Sequence, residues 1–444
     1  MKKLKVSMLG AGSGFVLSIA KELNCYDIFT DCQFVMMDIN QNNLDLAQQQ
    51  VMELLGNNLN NVTVTTTTSL TTALDGCDYV ISSCEKSRYP NWVKDFQIPE
   101  NHGVHQLKAE NGGPGGIIHG MRNISMFMGI LKQMERLCPD ARLLNFTNPM
   151  SILCTYFNRY SPIRNIGFCH QVHGSFGVIA EMLGFEPGEL EVISAGVNHL
   201  NWLFDVRRKN SNKSYMKEFL NGVGSSQYWH KKFPNIPPQK FTLEVLKTFN
   251  MYPIGYDDHI SEYMPFFWEE SEWAEFGYES LKESYIKLST QQGSSTLETI
   301  KLLGSDYEQP PFPVDDTHPY YSEAPCKVIM ALETNTPTYF DAVVVPNNGA
   351  VDNLPQSATL DVPAVVIGGE ARSIHVGELP IGPMEICRRQ ISIHEMVAQA
   401  THEGDESLAV QAFALDPYVR SITQARNIWQ NFKKEYQDDL PTFN

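Results

Sequence analysis

The chain has 444 residues, of which 42% are hydrophobic, and a formal net charge of −17 at pH 7. This length exceeds one typical core and predicts two lobes or one large α/β domain with insertions. The acidic balance argues against nucleic acid as a partner, because phosphate binding needs a concentrated basic surface. The N-terminal run MKKLKVSMLGAG is too short for a signal peptide or a membrane span. We therefore expect a cytoplasmic protein without a membrane partner.

Strands and helices alternate along the first eighty residues. The apolar run KVSML leads into glycines and is followed by VLSIAKEL, which has helical periodicity. Three further strands are predicted at FVMMDIN, VTVTTTT and DYVISSC. A polar helical stretch (40–55) separates the first two, and the short helix SLTTALDGC separates the last two. Such a βαβ series predicts a Rossmann-type parallel sheet.

The glycines after the first strand predict a nucleotide site. Gly10, Gly12 and Gly14 form GxGxG, which lets the backbone approach a pyrophosphate at a helix N-terminus, although a plain tight turn is the alternative. Asp38 follows the second strand, where an acid accepts from a ribose diol and disfavours a 2′-phosphate. Together these features favour NAD over NADP and predict an NAD-binding domain over residues 1–200.

Polar residues also follow three later strands. Asn148 comes after LLNF and precedes a proline, Cys169 ends NIGFC, and His199 follows LEVISAGVN. Ligands bind at the carboxyl edge of such sheets, so Asn148 is a site candidate, with a plain Asx turn as the alternative. Cys169 and His199 make a workable ligand pair for a divalent transition ion. A buried cysteine beside a hydrogen-bonded histidine, or a thiol nucleophile, remains open.

The pattern of the second half of the chain predicts an α+β domain over residues 201–444. We expect this domain to serve substrate binding and oligomerisation. The alternation in 337–369 indicates an antiparallel sheet folding over the nucleotide lobe, and 391–419 indicates closing helices. The aromatic run FFWEESEWAEF reads mainly as core. No long linker is evident, so we expect two interleaved lobes with the site between them.

Several motifs in order carry a resemblance that spans nearly the whole chain. They are GAGS, MDI, GPGGI (113–117), NFTNPMS (145–151), GFCHQVHG (167–174), GVNHLNW (196–202), YPIGYDDHISEYMPFF and VDNLP. This series resembles glycoside hydrolase family 4, particularly its α-galactosidase and α-galacturonidase branches. The resemblance implies a lactate/malate dehydrogenase-like fold with a Rossmann-type lobe and an interleaved α+β C-terminal lobe.

The resemblance also implies an unusual hydrolysis with two cofactors, NAD+ and Mn2+ or another divalent transition metal. C3 of the sugar is oxidised by NAD+, the C2 proton is removed, and the aglycone is eliminated from C1. Water then adds to the unsaturated intermediate, and NADH returns the hydride to C3. Cys169 and His199 resemble the metal ligands of the family. The residues that match its cofactor loop and acid are Gly10, Gly12, Gly14 and Asp38.

The catalytic proton carriers are implied by two of these motifs. In YDDH, Asp257 aligns best with the base that removes the C2 proton, while Tyr256 and Asp258 stand close enough to leave that assignment open. His170 resembles the acid that assists the departing oxygen, a role that suits a histidine near neutral pH.

Departures from the family pattern bear on the substrate. His170 is typical of members that take unphosphorylated sugars, whereas Gln171 stands where Ser marks glucosidases and galactosidases and Glu marks uronidases. Glu110 and Asn111 replace an Asp-Thr pair, and His119 replaces an arginine, which weakens a uronidase assignment. The residues expected to contact the sugar are Asn148, Glu110 and Arg122, the last being an arginine that the family keeps.

The leading hypothesis is a glycosidase acting on unphosphorylated α-galactosides or α-glucosides, with an α-glucuronidase or α-galacturonidase as its close variant. A hydroxy-acid dehydrogenase would share the nucleotide lobe but would give Cys169 and His199 no role. An NAD-sensing protein would not need the CHQV, NHLNW and YDDH motifs together. We expect a small-molecule glycoside as the partner and a homodimer or homotetramer as the assembly.

Overall fold

The structure is a computed structural model that describes residues 2–13, 15–56, 58, 60–106, 108–232, 239–265 and 324–444. Gly14 and the aromatic run at 266–276 lie outside these described residues. Within the described part of the chain, no helix combines the length and apolar character needed to cross a membrane.

One mixed sheet of twelve strands joins the two halves of the described chain. Its strands are β1 (Lys5–Leu9), β2 (Gln33–Met37), β3 (Thr63–Thr67), β4 (Tyr79–Ser82), β5 (Arg142–Asn145), β6 (Asn165–Gly167), β7 (Leu190–Val197), β8 (Leu200–Arg208), β9 (Pro253–Ile254), β10 (Thr338–Pro346), β11 (Thr359–Ile367) and β12 (Glu370–Ser373). The order is β3-β2-β1-β4-β5-β6-β10-β11-β7-β8-β9, and β12 pairs with β11.

The first six strands are parallel, in the order that dinucleotide-binding α/β folds share. Successive residues face opposite sides of the sheet, so Val6 and Met8 enter one core while Leu9 enters the other. The strand order reverses between β1 and β4, and crevices at such points bind ligands. The predicted Rossmann-type lobe is confirmed.

Helices cover both faces of the sheet. They are α1 (Phe15–Leu23), α2 (Gln41–Leu55), α3 (Leu70–Leu74), α4 (Arg88–Glu100), α5 (Gly113–Leu137), α6 (Met150–Tyr160), α7 (Gln171–Leu183), α8 (Met216–Val223), α9 (Ser226–Lys232), α10 (Lys240–Phe249), α11 (Asp257–Ser261), α12 (Pro325–Thr334), α13 (Ile381–Glu403), α14 (Glu406–Leu415) and α15 (Ile422–Glu435). Helix α2 illustrates why these helices form. Although α2 is polar overall, Leu44, Ala47 and Val51 make one buried stripe along it, and the Asn40 side chain caps its N-terminus.

The second half differs from expectation in one respect. Strands β10 and β11 do not fold over the nucleotide lobe as a separate sheet; they extend the parallel sheet beyond β6. Val344 lies opposite Gly167, and a Cβ atom at Gly167 would come within 2.9 Å of Val344 Cβ, so the glycine permits this close approach. The predicted domain boundary at residue 200 would fall where β8 begins, in the β7–β8 hairpin, and it stays a prediction.

Candidate functional site

The glycine turn between β1 and α1 lies against the end of β4. Gly10 has φ +80°, and a Cβ atom there would stand 2.5 Å from the carbonyl oxygen of Ser83. The N–H of Gly12 donates to Asp38 Oδ2 at 2.9 Å, while Asp38 Oδ1 accepts from the N–H of Asn40. An ionised carboxylate has about four acceptor positions. Asp38 therefore keeps capacity for a diol beside the N-terminus of α1.

Cys169 and His199 come together although they belong to separate loops. Cys169 follows β6 and precedes α7, and its sulfur accepts from the N–H of Gln171 at 3.5 Å. His199 occupies the β7–β8 turn with φ +69°. The sulfur of Cys169 lies 3.1 Å from Nε2 of His199, and both residues are buried. Both donor atoms can therefore reach one ion, which is the arrangement that a soft thiolate and an imidazole would offer a transition metal.

The surroundings of His199 favour the form that binds metals. Burial, followed by the neighbouring His259, holds the pKa of His199 well below its ordinary value, so the ring is neutral at pH 7. The side-chain amide of Asn111 lies 2.7 Å from Nδ1. Turning that amide over would place its oxygen there as an acceptor for Nδ1–H and leave the Nε2 lone pair for a metal.

Glu110 and His259 form a second group with His199. One ligand atom from each of Glu110, His199 and His259 lies within 4.8 Å of the others. The ring centroids of His199 and His259 are 3.9 Å apart. Nδ1 of His259 is 3.0 Å from Oε2 of the fully buried Glu262, whose Oε1 accepts from the N–H groups of Glu110 and Asn111 at 2.5 and 2.7 Å.

Lys108 is the cation of this group. Its ammonium donates to Asp258 Oδ2 at 2.6 Å, and it lies 3.0 Å from His259 Nε2 and 3.9 Å from Glu110 Oε2. Burial alone would raise the pKa of Asp258, but the neighbouring Lys108 and His259 side chains hold it below its ordinary value. Asp258 is therefore ionised and paired.

Asp257 and Tyr256 have different surroundings. Both carboxylate oxygens of Asp257 accept from the N-terminus of α10, from the N–H groups of Phe241 and Thr242 and from the Thr242 hydroxyl. Burial raises the pKa of Asp257 against these hydrogen bonds. Tyr256 is 38% exposed, and its hydroxyl lies 4.0 Å from the position of a Cβ atom at Gly174 in α7. Asp257 thus caps a helix, while Tyr256 reaches the first turns of α7.

The predicted sugar contacts Asn148 and Glu110 meet. Asn148 Nδ2 donates to Glu110 Oε1 at 3.3 Å, whereas the buried Asn148 Oδ1 has no hydrogen-bond partner among the described residues. His119 contacts the same loop. Its Nδ1 is 2.8 Å from the Glu110 carbonyl oxygen, and its Nε2 is 2.9 Å from the Asn123 side-chain nitrogen. His119 therefore braces the loop that carries Glu110.

Arg122 is held in a buried ion pair. Its two terminal nitrogens donate to the Asp95 carboxylate at 2.8 and 2.6 Å, and its guanidinium lies 4.2 Å from the ring centroid of Tyr436. Arg122 lines a small cavity together with Glu110 and His119. Its role as a sugar ligand stays a prediction, since Asp95 already binds the ends of the guanidinium.

His170 and Gln171 lie at the N-terminus of α7. His170 is exposed, directly after Cys169. Gln171 is 4% exposed, and neither its Oε1 nor its Nε2 has a hydrogen-bond partner among the described residues. Its Nε2 lies 2.8 Å from where a Cβ atom of Gly255 would be, next to Tyr256. An unsatisfied buried amide costs about 1–3 kcal/mol, which a bound polar ligand would recover.

Sequence reasoning missed three members of this group: Lys108, His259 and Glu262. His259 and Glu262 stand three residues apart in the YDDHISEY motif, a spacing that puts two side chains on one face of a helix, and this was the available signal. Lys108 lies 150 residues from Asp258, and nothing local marks it.

Two family models match this chain. The model of the family 4 glycosyl hydrolases matches residues 5–185, and that of their C-terminal domain matches residues 194–419. An α-galactosidase of Rhizobium meliloti (strain 1021) is 28% identical over 97% of this chain and 87% of its own. An α-galacturonidase of Thermoanaerobacterium saccharolyticum is 26% identical over 83% of this chain and 82% of its own.

The fold has a solved counterpart as well. A 6-phospho-α-glucosidase from gut microorganisms, crystallised in complex with NAD and Mn2+, superimposes with a TM-score of 0.78 over all of both chains at 17% identity. At that identity the likeness shows the fold alone. The two family models together span most of the chain, and the chain belongs to the family 4 glycosyl hydrolases.

Proposed function

We propose that this glycoside hydrolase uses NAD+ and Mn2+ to hydrolyse neutral, unphosphorylated α-hexosides, either α-galactosides or α-glucosides. The observation that carries the proposal is the 3.1 Å approach of Cys169 Sγ to His199 Nε2, because a thiolate and a neutral imidazole form a metal-binding pair. NAD and Mn2+ are bound by the related 6-phospho-α-glucosidase, and α-galactosidase activity belongs to the relative of Rhizobium meliloti.

The chain's own groups fit both cofactors. The turn at Gly10 and Gly12 leaves no room for a Cβ atom beside Ser83 and Asp38, and it precedes the N-terminus of α1, as a pyrophosphate site requires. Cys169 and His199 would hold the metal. When bound, NAD+ would supply the acceptor for a hydride from C3 of the sugar, and Mn2+ would supply a Lewis acid for the C2 and C3 oxygens.

We assign the base that removes the C2 proton to Tyr256 rather than to Asp257. The Tyr256 hydroxyl lies 4.0 Å from the position of a Cβ atom at Gly174 in α7, the helix that follows Cys169. Both oxygens of Asp257 instead accept from the N-terminus of α10, and Asp258 is paired with Lys108. His170, exposed at the start of α7, would give a proton to the departing glycosidic oxygen.

Charge supports a neutral glycone. The acids Glu110 and Asp258 lie beside Lys108, and Glu85 Oε2 lies 3.6 Å from His119 Nε2. A sugar carboxylate or phosphate entering this site would meet like charge, and the nearby Arg122 is already paired with Asp95. Gln171 and Asn148 offer uncharged, unpartnered polar atoms that suit sugar hydroxyl groups.

The test is hydrolysis of p-nitrophenyl α- and β-glycosides (galactoside, glucoside, glucuronide, galacturonide and 6-phosphoglucoside), with NAD+, Mn2+ and reductant each present or omitted. We expect release from the α-galactoside or α-glucoside only with both cofactors, and deuterium from D2O at C2 of the product. Release without NAD+ would reject the mechanism, and preference for the galacturonide would transfer the proposal to the uronidase variant. Light scattering would test our expectation of a homodimer or homotetramer.

A further inference from the structure

We propose that Lys108 is a positioning residue of the reaction. Its ammonium holds the first turn of α11, and with it Tyr256, in place against the loop 108–112, which carries the expected sugar contact Glu110. The inference rests on the proposed function, because it takes Tyr256 to be the base that removes the C2 proton. In this role Lys108 exchanges no proton with the sugar.

The first support is the position of the ammonium group. Lys108 Nζ lies 2.6 Å from Asp258 Oδ2 and 3.0 Å from His259 Nε2. Both partners belong to the first turn of α11, which begins directly after Tyr256. The side chains of Lys108, Asp258 and His259 are 11%, 12% and 13% exposed. Solvent ions therefore screen this charge interaction much less than they screen a surface ion pair.

The second support is the direction of the hydrogen bonds. An ammonium group has three donors and no acceptor, so Lys108 can only donate to His259 Nε2. The Nδ1–H of His259 then donates to Oε2 of the buried Glu262 at 3.0 Å. Lys108 Nζ also lies 3.9 Å from Glu110 Oε2. The group formed by Glu110, His199 and His259 thus receives its positive charge from a side chain of the chain itself.

The third support is that the backbone of the loop 108–112 has anchors of its own. The indole N–H of Trp92 donates to the carbonyl oxygen of Lys108 at 2.6 Å. Glu262 follows the last turn of α11, and its Oε1 accepts from the N–H of Glu110 at 2.5 Å. Loss of the Lys108 side chain should therefore leave Glu110 in place.

The first turn of α11 depends more directly on the ammonium. Asp257 binds this turn to the N-terminus of α10, whereas Lys108 binds it to the loop of Glu110. A misplacement of about 1 Å can cost roughly 10²-fold in rate. Without the ammonium, kcat should therefore fall because Tyr256 is displaced, while KM stays near that of the parent because the sugar contacts remain.

The experiment compares the full-length parent with Lys108→Ala, both loaded with NAD+ and Mn2+, on the glycoside that the parent hydrolyses. We expect kcat to fall by about 10–100-fold, with KM and the affinities for NAD+ and Mn2+ near those of the parent. Propylammonium replaces the deleted atoms and should restore kcat in a saturable way. Tetramethylammonium, which has no N–H donor, should not.

Three further variants complete the experiment. Lys94→Ala breaks an exposed ion pair with Glu435 and is the control, which should keep the parent's kcat with and without propylammonium. Asp258→Asn keeps an acceptor oxygen for the ammonium, so it should lose less activity than Lys108→Ala. If thermal unfolding shows that Lys108→Ala does not fold, Lys108→Gln takes its place, because its amide can still donate to Asp258, and the same fall in kcat at unchanged KM is expected.

The outcomes separate the two proposals. Unchanged kcat in the folded Lys108 variant, or a loss of kcat in Lys108→Ala that propylammonium leaves as it is, would reject the role of Lys108 and leave the proposed function standing. A loss in Asp258→Asn as large as that in Lys108→Ala would do the same, because Asp258 would then be the group that acts. A parent chain that hydrolyses no glycoside with both cofactors present would reject both proposals.

Discussion

The sulfur of Cys169 lies 3.1 Å from Nε2 of His199, although the two residues are 30 positions apart in the chain. Each is delivered by a different type of connection, Cys169 by a strand-to-helix turn and His199 by a hairpin turn with positive φ. Their meeting therefore depends on the pairing of strands rather than on any local motif.

Replacing the sulfur should remove the metal with little change in shape. Cys169→Ser keeps the side-chain size but exchanges a soft thiolate for a hydroxyl, so we expect at least about tenfold weaker Mn2+ binding and a matching rise in the Mn2+ needed for hydrolysis. Calorimetry with Mn2+ checks this. Cys25→Ser changes an exposed thiol and is the control. Equal Mn2+ affinity in both variants would argue against Cys169 as a ligand.

Tyr256→Phe should lower the rate of hydrolysis, whereas Asp257→Ala should lower the stability of the fold. Loss of a base costs about 10²–10⁴-fold in rate, so Tyr256→Phe should lower kcat and suppress C2 deuterium exchange at unchanged stability. Asp257→Ala removes the acceptor for the N-terminus of α10 and should cost about 1–2 kcal/mol of unfolding free energy. Rates and thermal unfolding separate the two, and a Tyr256→Phe enzyme with full kcat would return the role to Asp257.

Arg122 should prove to be chiefly a stabilising residue. Arg122→Leu leaves the Asp95 carboxylate buried without its partner, and such a loss costs about 3–5 kcal/mol. Urea unfolding measures this cost, and the double variant Arg122→Leu, Asp95→Leu should recover much of it because no charge is then stranded. If Arg122→Leu raised KM at unchanged stability, the sugar contact expected from the sequence would be its main role.

Gly10→Ala should impair cofactor binding. The new Cβ atom would stand 2.5 Å from a backbone oxygen, and φ is +80°, so the turn must move away from the end of β4. We expect at least about tenfold weaker NAD+ binding by fluorescence titration. Gly129→Ala is the matched control, since no atom lies within 4 Å of its Cβ position in α5, and it should stabilise the fold by about 0.5–1 kcal/mol.

Asp361 should make stability depend on pH. Burial raises its pKa from 3.8 to about 6, against hydrogen bonds from Asn198 and Asn201. Between those values the native state holds a proton that the unfolded state has lost, so stability falls as pH rises through this window. Asp361→Asn removes that dependence, and its advantage in unfolding free energy should grow by up to roughly 3 kcal/mol from pH 4 to pH 7. An advantage independent of pH would contradict this assignment.

The sequence predicted the features that arise from local patterns. Alternation of strands and helices predicted the Rossmann-type lobe, and the glycine motif predicted the tight turn that lies beside Asp38. The contacts of Lys108 with Asp258 and of Glu262 with the loop of Glu110 join residues about 150 positions apart, and no periodicity encodes them. The course of β10 beyond β6 was missed for the same reason, because edge pairing depends on the space left at Gly167.

Strand β6 has a further consequence for how the chain folds. It is three residues long, lies between β5 and β10, and leads directly to Cys169. If the chain were cut between the two family regions, β6 would become a short edge strand with unpaired backbone groups, and Cys169 would lose His199. Because one sheet crosses both regions, we expect them to unfold as one cooperative unit, and neither region by itself contains both Cys169 and His199.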